Sequence, residues 1–415
     1  MNIKFTLMEK VAFKTHATRG VLLIATIIML PLLEWRVIEY QISGTYHLAS
    51  PFAILFFFAS SLSIINAPWK STFLPTGQSE KYRLTIYIAL IAFVISWAIF
   101  APRVTAGAKA FTLVGAFAMF LATHSVFLEF KNNFWKRMPY IAATAAIVYM
   151  LALICLIYIN SFSEKPFINV EDLKIVGISK DIFQIRPYQV ASIVTYVALI
   201  GSVSAIQAKK QNLIFLIVPF MLCIIGEAGS RSGYVGFLVL WLIFTCYTAF
   251  IKFNPNDKFA SLVIAIKMLC SLLLGLVLLE MLPNLMYNRA KLGFDLFNQP
   301  YDLPRAQLWE LALSSKPASG VLAKIGQTDF GSFHNVFLDI YVGSGYPALI
   351  SFVIFLAVIA FALIETLKNE KVNDTKLIEF CLTLCFIVVV FQGFINPMLS
   401  FSSAWIMLGL IVACI

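Results

Sequence analysis

The sequence predicts an all-α polytopic membrane protein with about twelve transmembrane helices, and two observations support this fold class. The 415 residues are 60% hydrophobic and only 13% charged, whereas soluble domains are usually about 45 to 50% apolar and about 25% charged. Uncharged stretches long enough to cross about 30 Å of hydrocarbon also recur along the whole chain. We therefore expect residues 1–415 to form a single integral membrane domain.

Long apolar windows define the predicted spans. A helix rises about 1.5 Å per residue, so about 20 apolar residues are enough to cross the hydrocarbon of a bilayer. The twelve predicted spans are 20–33, 48–65, 84–101, 107–128, 139–160, 188–207, 213–229, 233–251, 261–283, 336–364, 377–395 and 397–415.

The basic residues between the spans indicate the sidedness of the chain. With the N-terminus inside, the inner connections hold seventeen of the 31 lysines and arginines, and the short outer connections hold only Arg36, Arg103, Lys109 and Arg231. Positive charge concentrates on the cytoplasmic side of membrane proteins, so we place both termini in the cytoplasm. Because the basic residues are dispersed among apolar spans, we do not expect nucleic acid as a partner.

Two long connections, 161–187 and 284–335, fall on the outer side. Long loops on a helical scaffold often carry function. In the second loop, Asp302 can cap a helix that Pro317 can end, and we expect this helix to be amphipathic and to lie at the outer membrane interface.

The end of the second loop predicts another short helix. This helix starts at Ser332 and places His334 and Asn335 in its first turn, before Gly345 and Pro347 interrupt the next apolar stretch. The tenth span is therefore predicted to be broken, with an interfacial piece that leads into the crossing helix.

The run GEAGSRSG at 226–233 places Glu227 and Arg231 four residues apart at the outer ends of two spans. We expect both charges to lie near the depth of the lipid headgroups or deeper, where a charge needs a partner. One interpretation is a structural ion pair between Glu227 and Arg231. The other is an anion site, in which Arg231, the hydroxyls of Ser230 and Ser232, and the backbone amides that open the next span bind a phosphate group.

His334 differs in context from the other three histidines. It lies at the end of the long outer loop, where an imidazole can accept a proton near neutral pH, whereas His16 is on the inner side, His47 is at the edge of a span and His124 is inside one. We expect packing and a hydrogen bond to account for His124. Asp339, five residues after His334, is predicted to face another side of the helix and to be poorly placed to orient the imidazole.

The outer loops contain no DxD, HExxH or CxxC sequence, and the chain contains no GxxxxGK[ST] sequence. These motifs carry metal-dependent chemistry and nucleotide binding. We therefore predict no metal site and no cofactor, and we disfavour an ATP-driven pump.

Three stretches of the second half resemble one family. They are SRSGYVGF at 230–237, RAQLWELALSSKPASG at 305–320 and FHNVFLDIYVGSGYPALISF at 333–352. Their order and spacing resemble those of the O-antigen ligase and O-antigen polymerase superfamily. The members of this superfamily are bacterial membrane glycosyltransferases. The shared features are an SR pair that opens a span, an R...W helix followed by a P..G turn, and an HN..L helix followed by glycines.

The resemblance implies transfer of a glycan from an undecaprenyl diphosphate carrier to a sugar hydroxyl, without a metal. It also implies an active site that faces the periplasm from the bacterial inner membrane. His334 is implied to be the general base, and arginines are implied to hold the diphosphate. The substrate-binding residues implied in this way are Arg231, Arg305, Arg289, Ser230, Ser232, Trp309 and Asn335.

Several alternatives stay open at this point. Arg305 can instead be a solvated charge on the interfacial helix, and Trp309 can stack on Arg305 or on a sugar. A ligase transfers the glycan to the lipid A core, whereas a polymerase transfers it to another lipid-linked repeat unit and implies a chain-length regulator as a further partner. From another class, a transporter or flippase of a lipid-linked sugar would need broken helices in pairs and ionisable residues within the spans.

Overall fold

The computed structural model describes residues 38–42, 45–49, 77–101, 103–161, 187–227, 230–250, 259–282, 303–318, 333, 335–368, 373–396 and 402–415. In chain order the elements are β1 (Ile38–Ile42), β2 (Thr45–Ala49), α1 (Gln78–Phe100), α2 (Arg103–Ser161), α3 (Pro187–Gln207), a short 3-10 helix (Gln211–Leu213), α4 (Ile214–Glu227), α5 (Arg231–Phe250), α6 (Ala260–Met281), α7 (Leu303–Ser314), α8 (Val336–Lys368), α9 (Asn373–Ile395) and α10 (Ser402–Cys414).

Within the described residues, seven helices are long and apolar enough to cross a membrane, one each in α1, α2, α3, α5, α6, α8 and α9. Shorter apolar helices at Gly115–Leu128, Gln211–Glu227 and Ser403–Cys414 coincide with three more of the predicted spans. The chain is therefore a helical polytopic membrane protein. The count of twelve spans stays a prediction, because 20–33 and most of 48–65 lie outside the described residues.

Strands β1 and β2 form an antiparallel hairpin in which Tyr40 pairs with His47 and Ile42 pairs with Thr45. The all-α prediction is therefore wrong at this hairpin, and the second span cannot begin at Leu48, which belongs to β2. The signal is present in the sequence, because alternating apolar and polar residues with β-branched and aromatic members flank a Ser-Gly pair.

Helix α2 runs without interruption for 59 residues, although the sequence predicts two spans, 107–128 and 139–160. The predicted connection at 129–138 contains neither glycine nor proline. The Phe134 ring in this segment also packs on the ring of Phe127, about two helical turns earlier, with ring centroids 4.7 Å apart. The residues between the two apolar stretches are thus helical as well, and Pro139 directly after them lies inside the helix, so the prediction of a separate connection at 129–138 is wrong.

The two halves of α2 contact different partners. In the first half, the fully buried His124 accepts or donates a 2.6 Å hydrogen bond through Nδ1 to the hydroxyl of Tyr87 on α1. In the second half, Ala142 packs so closely on Gly201 of α3 that a Cβ on this glycine would overlap it. Packing and a hydrogen bond therefore account for His124, as predicted.

Helices α1 and α8 pack antiparallel along their length. Tyr82 at the start of α1 donates a hydrogen bond to Glu365 at the end of α8. Further along, the rings of Phe93 and Phe352 lie 5.0 Å apart. The start of α1 and the end of α8 are thus on the same side, as the predicted alternation of spans requires.

Apolar residues cover both the face of each long helix that packs on other helices and the face that is exposed. On α1, Phe93 and Trp97 are buried against the other helices, whereas Ile91 and Ile95 are exposed. A soluble helix places polar residues on its outer face. An exposed isoleucine stripe instead fits contact with lipid chains.

Helix α8 is interrupted at Gly345, whose backbone has φ 78° and ψ −172°. This left-handed φ suits glycine, which lacks a Cβ. Pro347 follows and has no N–H to donate to the Gly343 carbonyl four residues earlier. The predicted interruption of the tenth span is thus confirmed, and α8 consists of a short part, 336–344, called the outer part after its predicted side, and a longer part, 346–368.

Candidate functional site

The first part of the candidate site is the start of α5. Ser230 precedes the helix, is buried, and accepts a 3.3 Å hydrogen bond from the backbone N–H of Gly233 through its hydroxyl oxygen. This is the N-cap arrangement that serine favours. Since a hydroxyl carries its own hydrogen, Ser230 keeps the capacity to donate to a phosphate oxygen. Ser232 is half-buried in the first turn.

Close packing fixes this helix start against α3. A Cβ on Gly233 would overlap the Cβ of Ala191 and lie 2.8 Å from the hydroxyl oxygen of Ser230. Only a residue without a side chain fits there, which gives the glycine of the SRSG sequence a packing role. Arg231 is the first residue of α5. Only its backbone is described, and its side chain lies outside the described residues.

The second part of the candidate site is built around Phe333. The indole Nε1–H of Trp309 donates to the Phe333 carbonyl oxygen over 3.0 Å. The Asp339 carboxylate accepts the Phe333 backbone N–H over 2.9 Å. Side chains from α7 and α8 thus hold both backbone polar groups of the residue that precedes His334.

The Phe333 ring adds an apolar anchor to these hydrogen bonds. Phe333 is fully buried and clusters with Ala312 of α7 and Val342 of α8. Half-buried Leu308, Leu338 and Tyr341 pack around these three residues. The cluster holds α7 against the outer part of α8.

The turn after α7 is fixed on the same part of α8. The Ala318 backbone N–H donates to the Tyr341 carbonyl over 3.3 Å, and the Tyr341 hydroxyl donates to the Ser315 carbonyl over 3.3 Å. Ala318 adopts a φ of 53°, and its Cβ lies close to Gly345. The turn at 315–318 therefore packs beside the interruption of α8.

Asn335 caps the start of α8. Its side-chain oxygen accepts the backbone N–H groups of Phe337, at 3.0 Å, and Leu338, at 3.2 Å. The helix therefore begins at Val336, and the predicted start at Ser332 is wrong. The physical reason is that asparagine competes well for the unpaired N–H groups of a first turn, so it lies before the helix and not within it.

The two parts of the candidate site lie at the same end of the bundle. The start of α8 lies beside the end of α9, where the rings of Phe337 and Phe394 are 4.7 Å apart. The end of α5 lies beside the start of α9, where Tyr247 stacks on Phe380. The starts of α5 and α8 therefore face the same side.

The structure describes contacts for some of the predicted site residues and not for others. The Trp309 N–H bonds to the Phe333 carbonyl, and its stacking on Arg305 or on a sugar stays a prediction. His334 and Arg289 lie outside the described residues, and so does the side chain of Arg305. The roles predicted for these three residues stay predictions.

The sequence did not predict the contact of Asp339 with Phe333. Helical spacing does not apply to this pair, because the helix begins at Val336, and the Asp339 carboxylate accepts the Phe333 N–H. An acidic residue in the first turn after an asparagine cap was the available signal. The expectation that Asp339 is poorly placed to orient His334 stays a prediction, since His334 lies outside the described residues.

A scan against models of known protein families and a search among curated proteins both find no match to this chain.

Proposed function

We propose that the protein is an extracytoplasmic glycosyltransferase of the O-antigen ligase type, which moves a glycan from an undecaprenyl diphosphate carrier to a hydroxyl of the lipid A core. The observation that carries the proposal is the anchoring of Phe333 by Trp309 and Asp339. It joins the tryptophan of the 305–320 stretch to the residue before His334. Two stretches on which the family resemblance depends are therefore neighbours in space.

In the proposed reaction, His334 is the general base. Its neutral imidazole takes the proton of the acceptor hydroxyl while that oxygen attacks the anomeric carbon of the glycan. The bond between this carbon and the diphosphate oxygen breaks, and undecaprenyl diphosphate leaves with the electron pair. The fixed Phe333 backbone limits the positions that the neighbouring imidazole can adopt, which supports this assignment.

Arginines would stabilise the leaving diphosphate. Arg231 and Arg305 are the proposed principal ligands and Arg289 a third. A guanidinium can bind two phosphate oxygens at once, and a hydrogen bond to a charged group contributes about 1.5 to 3 kcal/mol. The start of α5 supports this role for Arg231, because a helix N-terminus also attracts anions.

The remaining proposed binding residues have three different roles. Ser230 and Ser232 would donate hydroxyl hydrogens to the diphosphate, and the half-buried indole of Trp309 would offer its face to a sugar while its N–H holds Phe333. Asn335 contributes chiefly as the cap of α8, since its side-chain oxygen already accepts two backbone N–H groups.

The acceptor distinguishes two versions of the proposal. A ligase in the bacterial inner membrane would use the lipid A core on the periplasmic side. A polymerase would use a second lipid-linked repeat unit and would work with a chain-length regulator. The proton transfer and the departure of the diphosphate are the same in both, so the acceptor must be identified by assay.

In the decisive experiment, the purified protein is incubated with a lipid-linked glycan in two separate reactions. One reaction contains lipid A core as the acceptor, and the other contains excess lipid-linked repeat. We expect a glycan attached to lipid A core, seen as a mass increase of the acceptor. Elongated lipid-linked chains instead would establish the polymerase version. Movement of the lipid-linked glycan across a vesicle membrane without any new glycosidic bond would show that the protein is a transporter and not a glycosyltransferase.

Two variants connect the reaction to the site. His334→Ala should slow transfer by about 10² to 10⁴, the usual contribution of a general base, whereas His16→Ala, on the predicted inner side, should leave it unchanged. Arg231→Lys should also be a poor enzyme, because a lysine cannot reproduce the planar guanidinium. Normal transfer by His334→Ala would remove the base from the proposal, and loss of activity in EDTA that a divalent ion restores would contradict the arginine role.

A further inference from the structure

A second charged region lies away from the candidate site, in an open surface cavity of about 500 Å³ next to the start of α4. The cavity is framed by the turn after α3, by the short 3-10 helix and by one side chain each from α2 and α6. Its lining residues are Tyr140, Lys209, Lys210, Gln211, Asn212, Leu213 and Lys267. Three of the seven are lysines and none is acidic.

The cavity is at the opposite end of the bundle from Ser230. Helices α4 and α6 run side by side in the same direction, since Lys267 contacts Gln211 near the start of α4 and Gly226 packs on Leu279 near the end of both. The end of α4 leads directly to Ser230, whereas the cavity is at its start. By the distribution of basic residues, this is the predicted cytoplasmic end.

Lys267 is the least ordinary of the three lysines. It lies within the apolar span Ala260–Met281, two turns from its beginning, where a charge is costly without polar partners. Its ammonium group donates to the side-chain oxygens of Gln211, at 3.2 Å, and Asn212, at 3.5 Å. Both are neutral amides, so the described contacts leave the positive charge of Lys267 without a neutralising carboxylate.

The turn that carries the other two lysines has a defined shape. The Lys209 N–H bonds to the Ile206 carbonyl and the Lys210 N–H bonds to the Ala205 carbonyl, with Lys209 at a φ of 57°. These are the two hydrogen bonds of a Schellman motif, in which the left-handed residue is usually glycine. A lysine at this position places an ammonium group at the cavity where a glycine would suit the backbone better.

The start of the next helix increases the positive potential. The 17-residue apolar helix Gln211–Glu227 begins at the cavity wall, and the first N–H groups of a helix favour anions. Cavity, lysines and helix start thus point to one ligand chemistry, a phosphate group. Since the cavity opens beside apolar spans, the available phosphate is that of a membrane lipid.

We propose that this cavity binds the phosphate headgroup of an anionic phospholipid, with Lys209, Lys210 and Lys267 around the phosphate. Basic pockets between transmembrane helices on the cytoplasmic side are suited to such headgroups. The site is separate from the proposed glycan transfer and does not depend on it.

The test is native mass spectrometry of the purified, delipidated full chain with phosphatidylglycerol or with phosphatidylcholine of the same acyl chains. We expect one tightly bound phosphatidylglycerol and weaker binding of phosphatidylcholine. Lys267→Met, which keeps the length of the side chain, should weaken phosphatidylglycerol binding roughly fivefold, the contribution of one basic residue near a lipid surface. Lys267→Arg should restore it.

Two further variants keep the test informative if Lys267→Met fails to fold. Lys209→Gly removes an ammonium group and suits the left-handed backbone, so it should weaken phosphatidylglycerol binding without destabilising the turn. Lys368→Gln, at an exposed lysine on the same end of the bundle, should change nothing. Equal binding of the two lipids, or native affinity in Lys209→Gly, would overturn the proposal.

Competition with a soluble phosphate compound distinguishes a lipid site from a site for phosphate compounds in general. Glycerol 3-phosphate should compete with phosphatidylglycerol only at much higher concentration, because it lacks the acyl chains. Binding of glycerol 3-phosphate without any preference for phosphatidylglycerol would show a soluble phosphate site instead and would also overturn the lipid proposal.

Discussion

Replacement of Asp339 by leucine should release the backbone of Phe333. The carboxylate accepts the Phe333 N–H over 2.9 Å, and both residues are buried, with exposed fractions of 4% for Asp339 and 0% for Phe333. Water cannot easily replace the lost acceptor, so the variant carries the cost of an unpaired N–H. A hydrogen bond to a charged group contributes about 1.5 to 3 kcal/mol.

This free energy can be read directly by hydrogen–deuterium exchange at the Phe333 amide. A loss of about 1.5 to 3 kcal/mol corresponds to roughly 10- to 150-fold faster exchange, since about 1.4 kcal/mol is a factor of ten. Asp339→Asn keeps an acceptor oxygen without the charge and should give a smaller increase. Glu310→Gln, an exposed position on α7, is the matched control and should leave the amide protected. Unchanged exchange in Asp339→Leu would refute the anchoring role of this carboxylate.

Three other predictions concern the helix starts and the sidedness of the chain. Gly233→Ala should lower stability by about 1 to 3 kcal/mol, because the new methyl overlaps α3, and scanning fluorimetry in detergent should show no such loss for Gly236→Ala, where a Cβ meets nothing within 4 Å; equal melting temperatures for the two variants would contradict the close packing. Asn335→Ala should cost about 1 kcal/mol through loss of the cap, while Asn335→Asp should keep most of it, and a melting temperature unchanged by alanine would show that the cap contributes nothing. In a cysteine-free background, a cysteine at 295 should be labelled from outside spheroplasts and one at 256 should not; labelling of 256 alone would invert the proposed topology.

The helical spans were predictable from the sequence because a bilayer requires long apolar segments, and the structure has helices at most of them. The hairpin at 38–49 was missed because a search for long apolar windows passes over short alternating strands. The continuity of α2 was missed for a different reason. Charged residues at 129–138 indicated a connection, but charge alone does not break a helix, and α2 also continues through Pro139.

The candidate site was predictable only in part. Its motifs identified Trp309 and Asn335 as important, but the function of each depends on where the chain turns before α8. Sequence spacing describes contacts within a helix, whereas the bond from Trp309 to Phe333 crosses 24 residues. Lys267 was overlooked because a single lysine in an apolar stretch gives no sign that Lys209 lies beside the same cavity.

The interruption at Gly345 also bears on how a change at one end of α8 reaches the rest of the bundle. Beyond it, α8 is held by α1 through Tyr82 and Phe93, whereas α7 and the turn at 315–318 contact the outer part, 336–344. Phe337 connects the two, because its ring packs on both Phe352 and Phe394. A substitution in the outer part can therefore reach the packing of the membrane helices through this one aromatic contact.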